Sequence, residues 1–529
     1  MEFHIYNIFN NIFYNLFKRS ADERNEFEDA VRKNDAELVY FSLLSNKKIA
    51  KEQKLFEGVK TLTDLVIPPS ISAISDFFCN KCERLERVII PSSVSKIGKS
   101  SFKKCSHLRF VSIPSTVKII DDYAFSLCSK LKEVQIGYPS SMVTIGNHAF
   151  NGCLKLKEFF IPNSVSSIGE GCFQKCKKIK QITIPSLITT IKKLTFMWCD
   201  SLTEIILPST IKSIEDEAFK NCISLKCINL PSCLISIGSC AFIECSSLKE
   251  VTIPSSLKSI GYAAFSFCHS LTQVLFENPS SVIEIEGFAF CGCFLLTQVT
   301  IPSSVKSIGN DSFKGCRSLV DISIPSSVTM IDKNMFCKCK SLTQITIPSS
   351  VTSIGKEAFN SCQSLTQIVI PSSVTSIGSG AFRNCISLTH IMIPSSVALI
   401  DSFAFNRCSS LVEFSFPPLI KSINDGLFCY CTSLRHVSIP SSVSSIGTHA
   451  FINCTSLEQI EIPSSVTSIG NFAFCECSSL EEIKIPSSVV SIGDFAFREC
   501  GSLRKVTIPS SVVSIGFSAF PENARVTGC

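Results

Sequence analysis

Cysteine is the residue type with the most chemistry to offer in this chain: there are 29, enough for zinc sites, a disulfide framework or a nucleophile. Nineteen keep one beat, from Cys82 and Cys105 through Cys362 and Cys385 to Cys500, each 14 residues after a proline. Others add C-x-C pairs at Cys291/Cys293, Cys337/Cys339, Cys429/Cys431 and Cys475/Cys477, and one C-x-x-C at Cys79/Cys82. A closed zinc site needs two such pairs converging on a tetrahedron. Here the first cysteine of each C-x-C follows a periodic phenylalanine and is expected to face away from the second. A disulfide needs two side chains turned towards each other, whereas cysteines repeated in phase stack in a column, all pointing the same way. They are therefore read as buried free thiols, small hydrophobes that fill a tight position.

Seven histidines are scattered, and no serine or cysteine recurs beside a histidine and a carboxylate as an acyl-transfer triad requires. His390, Glu413 and His436 hold the same place, four residues before a proline, in three successive repeats. Such a column could capture a metal or titrate near neutral pH; a solvated polar ladder is the plainer reading and the one adopted. The glycines recur singly, as Ile-Gly, with neither G-x-x-x-x-G-K-[ST] nor G-x-G-x-x-G to cradle a phosphate. The expectation is a chain that is not an enzyme, with no catalytic residue, no metal site and no cofactor.

What positions these residues is a repeat. The prolines run Pro68, Pro91, Pro114 and onward to Pro509 in steps of 23, except for two steps of 25 that end at Pro139 and Pro279. The extra pairs are Gly137-Tyr138 and Glu277-Asn278, loop-like insertions just before the proline. A phenylalanine stands three residues before each periodic cysteine from Phe102 to Phe497, and again at Phe520, where Asn523 takes the cysteine's place. Self-similarity at this period means a stacked array rather than several globular domains. With strands roughly 4.8 Å apart, about twenty coils make a body on the order of 95 Å long.

Residues 365–387, LTQIVIPSSVTSIGSGAFRNCIS, show what one coil must do. Leu365, Ile368 and Ile370 alternate as a short strand, and Pro371 ends it by withholding a backbone donor. Ser372 and Ser373 turn the chain, Val374 and Ile377 point back inside, and Gly378 allows a tight bend at low steric cost. Ala381, Phe382 and Cys385 have helical spacing, which predicts about one helical turn in the return limb. Phe382 and Cys385, with Phe359 and Cys362 one coil earlier, are the expected structural core. No coil can bury such residues alone, so stacked coils share one continuous interior.

The motif I-x-I-P-x-x-V-x-x-I-G-x-x-A-F-x-x-C-x-x-L, met here by Ile345, Ile347, Pro348, Val351, Ile354, Gly355, Ala358, Phe359, Cys362 and Leu365, resembles the leucine-rich repeats of the BspA-like surface-protein family. The resemblance runs from about residue 62 to 523. It implies a leucine-rich-repeat solenoid, a curved stack of β-strands joined by short helical or 3-10 turns. It also implies adhesion or partner recognition at a cell surface.

The domain reading is a helical N-terminal region over residues 1–60 and the solenoid over 61–529. Ile5, Ile8, Phe9, Ile12, Phe13 and Leu16 mark one face of an amphipathic helix, without the basic n-region or cleavage site of a signal peptide. Ala30, Asp35, Glu37, Leu38, Val39, Leu43 and Leu44 are similar to the helix pair of an ankyrin repeat. A single such unit reads as a helical cap over the first coil. Hydrophobic residues make up 45% and charged residues 18%, too apolar for a disordered chain. No stretch approaches the 18 or so uninterrupted apolar residues of a membrane span. These features favour the cytoplasm and the family resemblance favours the cell surface, so the compartment stays open. The net charge of +6 forms no cluster of the kind that attracts nucleic acid.

The outward strand positions are the natural binding face. Four before each proline come Gln344, Gln367, His390, Glu413, His436 and Gln459, and two before come Thr346, Val369, Met392, Ser415, Ser438 and Glu461. This face is nearly free of Trp, Tyr and Arg, the usual anchors of hot spots, and it lacks the basic groove that tracks phosphates. Proteins met through many weak contacts are the expected partners, in an adhesion or surface-antigen role. The alternative is an intracellular scaffold that recruits several proteins. The sequence names neither the partner nor the oligomeric state.

Overall fold

The computed structural model describes residues 54–528, which fall into two compact units divided after Pro231. Each unit is a parallel β-solenoid, and the two together comprise about twenty turns. In most turns a strand of two to four residues precedes the proline. Gln367–Val369 exposes its outer two side chains and buries Ile368 between them, as a period of two requires. Strands of successive coils pair in parallel one repeat apart: Gln367 faces His390, Ile368 faces Ile391 and Val369 faces Met392. The repeat length therefore sets the register.

Beyond the proline the chain turns on a bond from the Val374 N–H to the Pro371 carbonyl, 3.0 Å. A second ladder follows, with Ser376–Ile377 between Ser353–Ile354 and Leu399–Ile400. Ser373 does more than turn the chain. Its hydroxyl donates to the Val351 carbonyl of the preceding coil at 2.6 Å, as Ser396 does to Val374 and Ser442 to Ile420, both at 2.7 Å.

The return limb corrects the expectation of a helical turn: no helix occurs among the described residues. Amide donors alternate in direction instead. Ala381, Arg383 and Cys385 donate within the coil, to Gly378, Gly380 and Phe382. Gly380, Phe382 and Asn384 donate to the next coil, to Ser402, Ala404 and Asn406 at 3.0, 2.8 and 2.7 Å. The cause is a left-handed backbone at Gly380 (φ 61) and Asn384 (φ 60), which converts a would-be helix into overlapping turns. Elsewhere those positions carry side chains, as at Lys338 (φ 64), Glu357 (φ 55) and Ser361 (φ 63). For a residue other than glycine this conformation costs roughly 1–2 kcal/mol. The inter-coil hydrogen bonds it permits offset this at about 0.5–1.5 kcal/mol each.

Gly378 is likewise not a bend residue. A Cβ there would lie 2.7 Å from the Lys356 nitrogen and 2.8 Å from the Gly355 carbonyl carbon, so the glycine is needed because neighbouring coils approach too closely.

Phe359, Phe382, Cys362 and Cys385 are all fully buried. The phenylalanines form a stack: ring centroids of Phe336, Phe359, Phe382 and Phe405 follow one another at 5.5, 5.4 and 5.5 Å, with interplanar angles of 16°, 4° and 4°. The other unit repeats this from Phe102 through Phe125 and Phe150 to Phe173, at 5.3, 5.4 and 5.9 Å. Each ring covers the next, which is how coils too small to have a core acquire one.

The amphipathic segment at 5–17 and the ankyrin-like segment at 27–49 lie outside the described residues, as does most of the expected helical cap. Its last part, residues 54–58, forms turns rather than helix. Phe56 is buried there edge-on to Phe78 at 5.2 Å, so this stretch already belongs to the stack.

Candidate protein-binding face

The thiols are best understood from the backbone they touch. The Phe359 carbonyl accepts the Cys362 N–H at 3.1 Å and the Cys385 Sγ–H at 3.2 Å, one partner for each lone pair. The Cys362 thiol serves the Phe336 carbonyl in the same way at 3.2 Å, and Cys408 serves Phe382 at 3.1 Å. Burial pushes these thiols up, Cys408 to about 12 and Cys362 and Cys385 well above the ordinary 9.0. A thiol held protonated is neither a nucleophile nor a metal ligand. The outer cysteines of three C-x-C pairs, Cys337, Cys429 and Cys475, are pushed to about 11, again chiefly by burial. No disulfide joins the described cysteines, and among the described residues no group of three or more His, Cys, Asp or Glu could hold a metal ion.

The strand face is where side chains meet solvent. Gln344, Gln367, His390, Glu413, His436 and Gln459 are all exposed. Parallel bridges from Ser323 to Thr346 and from Thr346 to Val369 keep the Gln344 coil in line with its neighbours. Glu413 faces His436, and His436 faces Gln459. Strand pairing lapses between His390–Met392 and Glu413–Ser415, where a bond from the Val412 N–H to the Thr389 carbonyl, 3.3 Å, joins the coils. No hydrogen bond or ion pair links the side chains of His390, Glu413 and His436, so all three remain available to a partner.

Two further residues complete this face. Val369 and Met392 lie opposite each other and are 78% and 86% exposed. Two apolar side chains next to one another in an outward column that is otherwise mostly polar were the signal in the sequence. Together the face presents amide, imidazole and carboxylate groups around a small apolar centre, on a backbone fixed by its ladders.

The fold has known counterparts. A model of the BspA type leucine rich repeat region matches six overlapping stretches, residues 25–138, 96–226, 189–293, 283–412, 329–458 and 398–527. A leucine-rich repeat protein from Bacteroides ovatus is 29% identical over 74% of this chain and 88% of its own, with a TM-score of 0.50. A leucine rich cell surface protein from Faecalibacterium prausnitzii is 28% identical over 62% and 87%, with a TM-score of 0.40. The pneumococcal vaccine antigen PcpA is 20% identical over 66% and 89%, with a TM-score of 0.43. Among curated proteins none matches. With six matches to one repeat running almost the length of its coils, this chain belongs to the BspA-type leucine-rich repeat family, whose fold is a non-enzymatic repeat scaffold.

Proposed function

We propose that this chain is a non-catalytic protein-binding protein of the adhesion type, which meets its partner through the strand face of its solenoid. The observation that carries this reading is the row from Gln344 to Gln459, exposed in successive coils and set around the apolar pair Val369 and Met392. Polar groups on a rigid ladder lose little freedom on binding, so many shallow contacts can add up without a deep pocket. The domain organisation that goes with this is a solenoid over 61–529 acting as the binding module, preceded by residues 1–60. The resemblance to a leucine rich cell surface protein is consistent with display at a surface. No helix among the described residues is long and apolar enough to cross a membrane.

The test is site-specific photo-crosslinking in intact full-length protein. A photoreactive residue at Gln367 or His436 should capture one defined protein, and the same residue at Lys338 on the return limb should not. Equal capture from both limbs, or capture only from Lys338, contradicts the reading.

A further inference from the structure

The strand face within residues 54–231 carries a different chemistry from the row described above, and it corrects the expectation that the chain's positive charge forms no cluster. Three successive coils bring six lysines to it: Lys130 and Lys132, Lys155 and Lys157, Lys178 and Lys180. Each pair flanks a fully buried residue, Leu131, Leu156 or Ile179, so both lysines of the pair are sent outward, and all six are exposed. Coils about 4.8 Å apart crowd these ammonium groups together. Among the described residues none of the six has an ion-pair partner. Nearby, Arg109 pairs with Glu86 at 3.7 Å and Lys177 with Asp200 at 3.1 Å.

The strand ladder also opens here, as it does at residues 227–229. Glu133–Ile136 pairs only with the coil before it and Gln181–Thr183 only with the coil after it, and residues 158–160 between them form no strand. Phe159 stands at the lapse. It fills an inward position that Val134 and Ile182 hold in the adjoining coils, and its ring wedges against Phe150 at 4.8 Å and Phe173 at 4.9 Å. A cleft of about 770 Å³ results, whose lining includes Lys157, Glu158, Phe160, Lys178, Lys180 and Gln181. Phe160 stands in it 64% exposed.

We propose that this cleft docks an acidic segment of a partner protein, with carboxylates on the lysines and an apolar side chain on Phe160. Charge complementarity selects an anion, and two observations select a peptide among anions. Glu133 and Glu158 sit directly beside Lys132 and Lys157, so a uniformly charged sulfated or phosphorylated polymer crossing the face meets carboxylates as well as ammonium groups. The cluster is also all lysine, without the guanidinium forks that match phosphate. A peptide can place acids, an apolar group and hydrogen-bond donors where each is wanted, and the unpaired backbone of 158–160 offers it further hydrogen bonds. The proposal rests on the reading of this chain as a protein binder, but it uses other residues in the other unit.

The experiment uses the full chain and a fluorescent peptide rich in Glu and Asp around one central Phe. A lysine-for-acid version of the peptide, heparin and a single-stranded oligonucleotide serve as the other probes. The acidic peptide should bind, more weakly as salt screens the charges, and Lys157→Glu with Lys180→Glu should weaken it about tenfold or more. Phe160→Ser should weaken it too, while Gln367→Arg with Glu413→Arg should leave it unchanged. All the substituted residues are exposed, so melting should not move. No binding of the acidic peptide, no loss in the lysine variant, or tighter binding of heparin or the oligonucleotide at the same lysines overturns the proposal. Loss of partner binding only in the Gln367/Glu413 variant would bear on the broader reading instead.

Discussion

The thiol of Cys385 lies 3.2 Å from the carbonyl oxygen of Phe359, a residue 26 positions earlier and in the preceding coil. Nearly every coil repeats this contact, so the cysteine column is a row of weak donors that satisfies buried carbonyls from coil to coil. Cys385→Ala removes the donor and leaves a void, and should lower stability by about 1–3 kcal/mol. Cys385→Ser keeps a donor and should lower it less. Urea unfolding decides the matter: equal losses in the two variants would mean that the thiol only fills space.

The thiols also set an alkaline limit. Burial raises Cys337, Cys429 and Cys475 from 9.0 to about 11, and Cys408 to about 12. Well below pH 9 a thiol is protonated whether the chain is folded or unfolded. Above it the unfolded chain gives up protons that the folded chain retains, so stability falls as pH rises from 9 towards 11 or 12. Chemical unfolding at pH 6, 7 and 10.5 should show little change over the first interval and a clear loss over the second. A flat profile to pH 10.5 would contradict the burial. In native protein at pH 8, a thiol-reactive probe should label exposed Cys227 and spare Cys385.

The phenylalanine stack should dominate the energetics. Phe382 is fully buried between Phe359 and Phe405, and Phe382→Ala should cost about 3–5 kcal/mol. Val369, on the strand face and 78% exposed, should tolerate Val369→Ala within about 0.5 kcal/mol. Comparable losses in thermal unfolding would mean that the coils do not share one interior.

An exposed residue can matter for a backbone reason alone. Lys338 is exposed and left-handed, with φ 64. Lys338→Asn suits that conformation and should match or exceed wild-type stability, while the β-branched Lys338→Val should fall about 1–2 kcal/mol below it. Equal melting temperatures for the two variants would show that the return limb relaxes away from its turns.

These results mark what a reader of the sequence can and cannot see. The coil, its strand and its core were legible because an environment that recurs every 23 residues demands residues that recur with it: Pro371, Phe382 and Cys385 each have counterparts in neighbouring coils. The return limb was not. Inward spacing of Ala381, Phe382 and Cys385 is the same for a helical turn and for a row of turns. The deciding left-handed positions are disguised by Lys338, Glu357 and Ser361, which seldom adopt that conformation. The hydroxyl ladder through Ser373 was hidden for a different reason, since a serine after a proline already has a sufficient explanation as a turn. On the strand face the exposed positions could be counted from the prolines. The opening beside Phe159 could not, because the inward residue type does not mark it: Phe414 fills the same position in a strand that pairs.

In the function proposed, the strand face from Gln344 to Gln459 meets a partner protein and the return limb does not. The most direct measurement is the affinity of full-length Gln367→Arg/Glu413→Arg protein for the partner captured by crosslinking, beside a Lys338→Glu control. The account predicts at least a tenfold loss for the first, with unchanged melting, and wild-type affinity for the second. Wild-type affinity in the strand-face variant, or a loss confined to the Lys338 variant, would contradict it.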